Sequence, residues 1–336
     1  MKRRLWIWGG AAVLLLLLAA TAALSLGSVR IPFGQVWSMV LHRIPGIANQ
    51  VPVRWTEAAE QIIWKVRLPR VVLGMLVGAA LGLAGAAFQG VLRNPLADPY
   101  TLGVSSGASV GAAFLILFGL QFAWLGQWTV PAVAFLTGTA SLAIVLLLAR
   151  SQGMLRIETV ILAGVVMQAF LGAGVSLMVA LSKTVINEII FWTMGSLALR
   201  GWSYTLLLLP YLAAGAFILL GFGRAMNLLA LGERHAAHLG VNVERTKLAV
   251  LIASTLLTAA AVSVSGVIAF VGLIVPHLLR LLVGPDYRLA PALVTDRRGG
   301  IRADGGYVSP NIAEPDGNPA RGGYRFSRRS VLCLFA

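Results

Sequence analysis

Residues 71–92 read VVLGMLVGAALGLAGAAFQGVL, residues 93–99 read RNPLADP, and residues 101–120 read TLGVSSGASVGAAFLILFGL. Neither flanking segment carries a charged side chain, and each has the ~20 residues that a helix needs to cross bilayer hydrocarbon. The link between them holds Pro95 and Pro99 and an Asn94-Pro95 step, so the chain must turn there. Asp98 is placed to cap the next helix, where negative charge is favoured. Gly74, Gly78 and Gly82 recur at helical spacing in the first segment, and Gly103, Gly107 and Gly111 in the second. Such rows present smooth faces that other helices can approach closely. A span, a tight turn and a second span, all built for close packing, set the fold class: an all-α, polytopic transmembrane helix bundle.

The rest of the chain extends the pattern. Of 336 residues, 58% are hydrophobic and only 12% are charged, about half the charged share of a soluble domain. A first span covers 5–26 behind Lys2, Arg3 and Arg4. It reads as a retained helix with its basic start in the cytoplasm, because the apolar part is long for a signal peptide and the remaining chain is itself membrane-like. Further spans are expected at 129–149, 159–182, 201–223 and 248–265. Gln121, Trp124, Gly126 and Trp128 mark an interfacial turn before the first of these. The stretch 189–199 has half the needed length and reads as an interfacial or half-crossing helix. Gly266 and Pro276 interrupt the apolar run beyond residue 265. A short, broken eighth span is therefore expected over 267–283, tolerable only against protein or a cavity.

Charge narrows the function. The formal net charge is +15, from 27 Lys and Arg against 12 Asp and Glu, but the basic residues sit in short clusters between apolar runs. They set topology and contact membrane lipid, and offer no broad basic face for nucleic acid. The cluster Lys65, Arg67 and Arg70 falls on the outer side, against the positive-inside rule. Residues 1–289 contain eight acidic side chains, none at the middle of an expected span. A transporter driven by protons or sodium usually keeps an intramembrane ionisable group, so the motive force is expected from a partner. No G-x-x-x-x-G-K-[ST] occurs, so no P-loop, no bound cofactor and no catalytic residues are expected on this chain. Cys333 is alone, which excludes a disulfide framework.

The one long cytoplasmic loop, 224–247, reads as a short helix ended by Gly240 and a second one capped by Asn242 with Glu244 in its first turn. His235 and His238 stand three apart, but two ligands beside Arg234 make a solvated face and no metal site. After Leu289 the composition breaks: residues 291–336 hold seven Arg, seven Gly and four Pro. The chain is therefore expected to divide into a membrane domain over 1–289 and an aberrant tail over 290–336. That tail reads as a disordered cytoplasmic segment or, by its composition, as out-of-frame translation of a GC-rich gene.

Taken together, RLPR (67–70), GAALGLAGAAFQG (78–90), RNPLADP (93–99), LGVSSGA (102–108), LAG (162–164), FWTMGSL (191–197), the 232–240 loop and FVGLIVPH (270–277) resemble the permease subunit of type II ABC importers for iron–siderophore, haem and cobalamin. The resemblance implies a fold of ten helices with both ends cytoplasmic, of which about eight are recognisable here. It implies a second permease subunit, as a homodimer or heterodimer, around a central pathway. It also implies an ATP-binding cassette subunit that carries the nucleotide, and a periplasmic or lipid-anchored substrate-binding protein. By the same resemblance Gly232, Ala236, Leu239 and Gly240 form the surface that docks the cassette subunit. Asn94 and Leu96 belong to a cytoplasmic gate, Met167 and Gln168 line the pathway, and Arg67 and Arg70 meet acidic residues of the binding protein. Family members continue with a ninth and a tenth helix where the tail stands. The leading expectation is iron–siderophore or related metal-chelate uptake across a bacterial inner membrane. The alternatives are a cobalamin or haem permease, a stand-alone secondary transporter, or an inactive truncated permease.

Overall fold

The computed structural model describes residues 2–46, 52–151 and 154–283. The tail expected over 290–336 lies outside them. The first helix, α1 (Lys2–Ser25), is long enough to cross a membrane and stands mostly exposed, with Leu14, Leu15 and Leu18 open along it. After α2 (Phe33–His42) comes one continuous helical run, Glu57–Val91, of 35 residues. It begins as α3 (Glu57–Gln61), capped by Thr56 accepting from the Ala59 N–H at 3.3 Å, widens into a π-helical segment over Ile62–Arg67, and continues as α4 (Leu68–Val91). The widening has a local cause: Pro69 has no N–H to give to the carbonyl four residues earlier, and a wider turn accommodates the loss. The second span therefore starts well before the residue 71 expected from hydropathy.

Next comes a single 3-10 turn, Pro99–Leu102, then Gly103 in the left-handed region at φ 79°, then α5 (Val104–Leu117). This corrects the expectation of a 20-residue span over 101–120: the helix has 14 residues. Asp98 does cap, but it caps the 3-10 turn, its Oδ1 accepting from the Tyr100 N–H at 3.0 Å. The interfacial turn leads through Gly126–Trp128 into α6 (Thr129–Ala149). A two-stranded ladder, β1 (Arg150–Ser151) with β2 (Met154–Leu155), is a small addition to an otherwise helical fold. The remaining helices are α7 (Ile157–Leu181), α8 (Ile186–Thr193), α9 (Trp202–Gly221), α10 (Gly223–Ala230), α11 (Glu233–His238), α12 (Val243–Ser265) and α13 (Val271–Val283). The half-length helix is thus α8, which starts three residues earlier than expected and is shorter, with 8 residues. The broken eighth span begins at Val271, after Gly266 and Phe270 with φ of 70° and 67°.

Among the described residues, six helices are long and apolar enough to cross a membrane. The chain is a multi-pass membrane protein. Its centre is α12, buried from Ala253 through Ser265 apart from the half-buried Leu256, and packed against α4, α6 and α9. Its composition explains how it can be central: Ser254, Thr258, Ala259, Ala260, Ala261 and Ser263 are small and let neighbouring backbones approach. Two of its buried hydroxyls are satisfied inside the helix, Ser254 by the Val250 carbonyl at 2.6 Å and Thr258 by the Ser254 carbonyl at 2.8 Å.

The glycine rows act where helices meet. A Cβ on Gly107 would lie 2.7 Å from the Thr137 carbonyl oxygen, and one on Gly111 would strike the Thr137 side chain, so α5 lies directly on α6. On α4 the tightest approach is at Gly85, one turn past the row. A Cβ there would sit 2.8 Å from the Gly272 Cα and closer still to its carbonyl oxygen. Gly78 has nothing within 4 Å. Gly85→Ala is therefore expected to lower thermal stability in detergent by about 1–3 kcal/mol through overpacking. Helix propensity alone would favour Ala by ~1 kcal/mol, and Gly78→Ala should show that gain or no change. Equal behaviour of the two variants in a thermal melt would show that α13 does not press on α4 at Gly85.

Candidate functional site

Chain direction puts three connections on one face: the turn after α4, the β1–β2 hairpin after α6, and the segment after α9. The structure joins them with charge. Glu233, the first residue of α11, receives the Arg93 Nη2 on Oε1 at 2.9 Å and the Lys247 Nζ near Oε2 at 3.4 Å. Lys247 also reaches Glu244 Oε1 at 2.6 Å and donates to the Leu155 carbonyl at 2.8 Å. Glu244 closes the circuit, its Oε2 accepting from the Leu155 N–H at 2.9 Å. The Lys247 side chain is only 3% exposed. An ammonium has three N–H groups, and here each has an acceptor. The two cations and two carboxylates balance, which is what allows a lysine to be buried.

Beyond this cluster the segment stands out from the bundle. In α10, Met226 and Leu229 are buried, and Leu231 beyond it is exposed. Gly232 comes next, at φ 121°. Of α11, only Ala236 is buried, at 0% exposure, and Leu239 just past its end is 63% exposed. Gly240 ends the helix at φ 83°, with its N–H on the Ala237 carbonyl and the Val241 N–H on the Ala236 carbonyl, both at 3.0 Å. That pair of bonds is a Schellman stop. Asn242 then caps α12, its Oδ1 accepting from the Arg245 N–H at 3.1 Å. The helix, the stop and the cap expected from the sequence all form. Gly232 and Gly240 shape the chain, Ala236 seats it, and Leu239 faces outward.

The turn after α4 is as tightly specified. Arg93 has φ 49°, and Asn94 Oδ1 accepts from the Leu96 N–H at 2.9 Å. Leu96 is thereby held outward, 74% exposed. From Tyr100 the chain passes into the bundle. The Tyr100 hydroxyl donates to the Ile268 carbonyl at 2.9 Å, and Pro99 packs on Gly272. Gly103 meets Met167, whose Cγ lies 3.2 Å from where a glycine Cβ would stand. Met167 is thus half-buried against the start of α5, whereas Gln168 is exposed.

On the opposite face Arg70 is exposed and lines a cavity of ≈ 660 Å³ together with Met194, Ser196, Leu197 and Ile268. Arg67 does not share that exposure. Its guanidinium is buried and donates to the Leu24 carbonyl at 2.6 Å and to the Val29 carbonyl, against Gly27. The expectation that Arg67 offers its charge to another protein is corrected on this ground: the π-helical turn aims it at the end of α1. Sequence reading also missed the Arg93–Glu233–Lys247–Glu244 cluster. The signal was present, since two of only eight acidic residues in 1–289, Glu233 and Glu244, closely precede Lys247, but the contact with Arg93 joins segments far apart in sequence.

A profile of the FecCD transport family matches residues 14–295. The uncharacterized ABC transporter permease protein YvrB of Bacillus subtilis is 44% identical over 295 residues, covering 87% of this chain and 82% of its own. The cobalamin import system permease protein BtuC of Halobacterium salinarum is 38% identical, covering 81% and 76%. Among solved structures, an ABC transporter assigned to the metal-chelate type, in an inward-facing conformation, superposes with a TM-score of 0.72 at 32% identity, over 87% of this chain and 86% of its own.

Replacing Arg67 tests its inward role. Arg67→Ala abandons the Leu24 and Val29 carbonyls, at about 1–3 kcal/mol each. Arg67→Lys recovers part, because an ammonium lacks the planar fork that reaches both. The expected readout is a lower thermal midpoint in detergent, in the order wild type, Lys, Ala. An unchanged midpoint for Arg67→Ala would show that the clamp does not hold α1.

Proposed function

The chain belongs to the FecCD transport family, the permeases of type II ABC importers, and from that premise we propose that it carries a bulky metal chelate inward across a bacterial inner membrane, using ATP bound by a partner. An iron–siderophore is the leading cargo, with haem and cobalamin in the same class. The metal-chelate type of the superposed transporter and the cobalamin cargo named for the Halobacterium relative support this class.

The observation that carries the reading is the outward-facing segment 232–240. It has a fixed stop, a fixed cap, a seated Ala236 and an exposed Leu239. A short rigid helix with an apolar tip suits a groove on another protein. In the proposed cycle the ATP-binding subunit grips this segment, and closure of its dimer moves it. The turn carrying Asn94 and Leu96 then gates the cytoplasmic end, and α7 with Met167 and Gln168 lines the path beside a second permease subunit. At the outer mouth Arg70 attracts acidic side chains of a substrate-binding protein, which speeds and orients encounter. Of the pair Arg67 and Arg70, only Arg70 keeps this role. The region after Leu289 is proposed to be foreign to the permease fold, since its composition breaks there and the family match stops shortly after, at residue 295. Sequencing the locus for ninth- and tenth-helix codons in another frame tests that part.

Leu239→Asp tests the docking surface. A charge at an apolar contact is expected to cost ~2 kcal/mol or more, a loss of affinity above ~10-fold for the ATP-binding subunit, with an unchanged thermal midpoint of the permease alone. Co-purification reads it directly. Undiminished association would overturn the assignment of this surface, and uptake into vesicles that needs neither ATP nor a binding protein would favour a secondary transporter.

A further inference from the structure

Helix α11 is six residues long, and helices of that length are not stable by themselves. Among the described residues its anchors are the buried Ala236 and the two carboxylate oxygens of Glu233. Each oxygen goes to a different element. Oε1 takes Arg93, in the turn that also holds Asn94 and Leu96. Oε2 takes Lys247, which in turn holds the Leu155 carbonyl two residues before α7 starts at Ile157. We propose that Arg93, Glu233 and Lys247 form a strut that makes the 93–98 turn and the foot of α7 move with any displacement of α11. They act as positioning residues for the transport cycle. This rests on the docking role proposed for the 232–240 segment, and adds how motion there reaches the gate and the pathway helix.

Geometry favours a strut over a mere surface ion pair. Arg93 and Glu233 are 34% and 37% exposed, so that pair alone would contribute little. Lys247, however, is buried and its donors are saturated, which fixes Glu233 Oε2 and leaves Oε1 pointed at Arg93. The backbone supplies the other end. Arg93 sits at φ 49°, a conformation that a glycine adopts without strain. The turn geometry thus does not itself require an arginine, and the guanidinium is what links it to α11. Displacing Glu233 takes one carboxylate away from the buried Lys247, which ties α11 to the Leu155 end, and the 2.9 Å contact of Glu233 with Arg93 carries the same displacement to the turn.

Hydrogen–deuterium exchange read by mass spectrometry on the full chain, in complex with the ATP-binding subunit with and without ATP, separates the two levels. In the wild-type complex ATP is expected to change exchange both in 233–239 and in 93–98. Glu233→Gln and Arg93→Gly should keep the first change and lose the second. Arg93→Gly suits the test because it preserves the turn's backbone while removing the charge. Arg93→Lys, which keeps a cation, and Arg245→Gln, an exposed charge outside the cluster, should keep both. Persistence of the 93–98 response in Glu233→Gln and Arg93→Gly would overturn the strut. Loss of both responses in Arg93→Gly would reduce the pair to a staple for α11 and overturn it too. No ATP response at 233–239 in the wild-type complex would overturn the docking reading itself, and the strut with it.

Discussion

A carbonyl released from a helix inside a bilayer has no water to turn to, and leaving it unpaired costs several kcal/mol. Among the described residues, two such places are pressed together. The 3-10 turn at Pro99–Leu102 and the extended stretch before α13 face each other, and the Tyr100 hydroxyl satisfies the Ile268 carbonyl. Gln89 donates to the Leu273 carbonyl at 3.2 Å, and the Ser196 N–H to the Ser265 carbonyl at 2.7 Å. Close contact is possible only because Gly85 and Gly272 have no side chains at the crossing. The small residues of α12, the glycines of α4 and the breaks before α5 and α13 are therefore one arrangement. It permits irregular backbone in the middle of a membrane protein, where irregular backbone is tolerated only against protein or a cavity.

The same constraint explains which features were legible in the sequence. Spans with no internal break, such as α6 and α7, track hydropathy closely because each is one continuous apolar helix. Caps and stops are local chemistry, so Asn242 and Gly240 could be read directly. The rows of glycine announced close packing but not its partner: Gly107 and Gly111 meet Thr137, while the tightest contact, at Gly85, lies off the row. Boundaries failed where distant segments decide them. The start of α5 is set by Tyr100 reaching a residue 168 positions away. The π-helical run before Pro69 is invisible to hydropathy because nothing in its polarity distinguishes a wide turn from an ordinary one.

Charge behaves in the same way. In a chain with few ionisable groups, a cluster that offends the positive-inside rule calls for an explanation. Part of the explanation is internal. Arg67 is spent on the carbonyls at and just beyond the end of α1, where a cation is favoured by the helix dipole as well as by hydrogen bonds. Arg70, one turn further on, remains exposed at a cavity rim. Two arginines three residues apart thus have opposite fates, decided by the register of a π-helical turn. On the other face, two of the acidic residues that lie away from the span centres are the ones that neutralise the buried Lys247.

The surface that one chain leaves uncovered obeys a rule too. On α7, Val160 and Gly164 form the buried side. Leu162, Val166, Phe170 and Leu177 make a second, strongly exposed side, at 59–74% exposure, whose chemistry suits lipid or an apolar partner helix. Gln168, Gly172 and Ser176, spaced by four, lie on a third side, with the Ser176 hydroxyl turned back onto the Gly172 carbonyl. An amide in hydrocarbon would be costly, so this third side calls for protein or water rather than acyl chains. Small residues flank the one amide on this side, so it is polar but nearly featureless. A side of this kind fits the proposal that Gln168 lines the path.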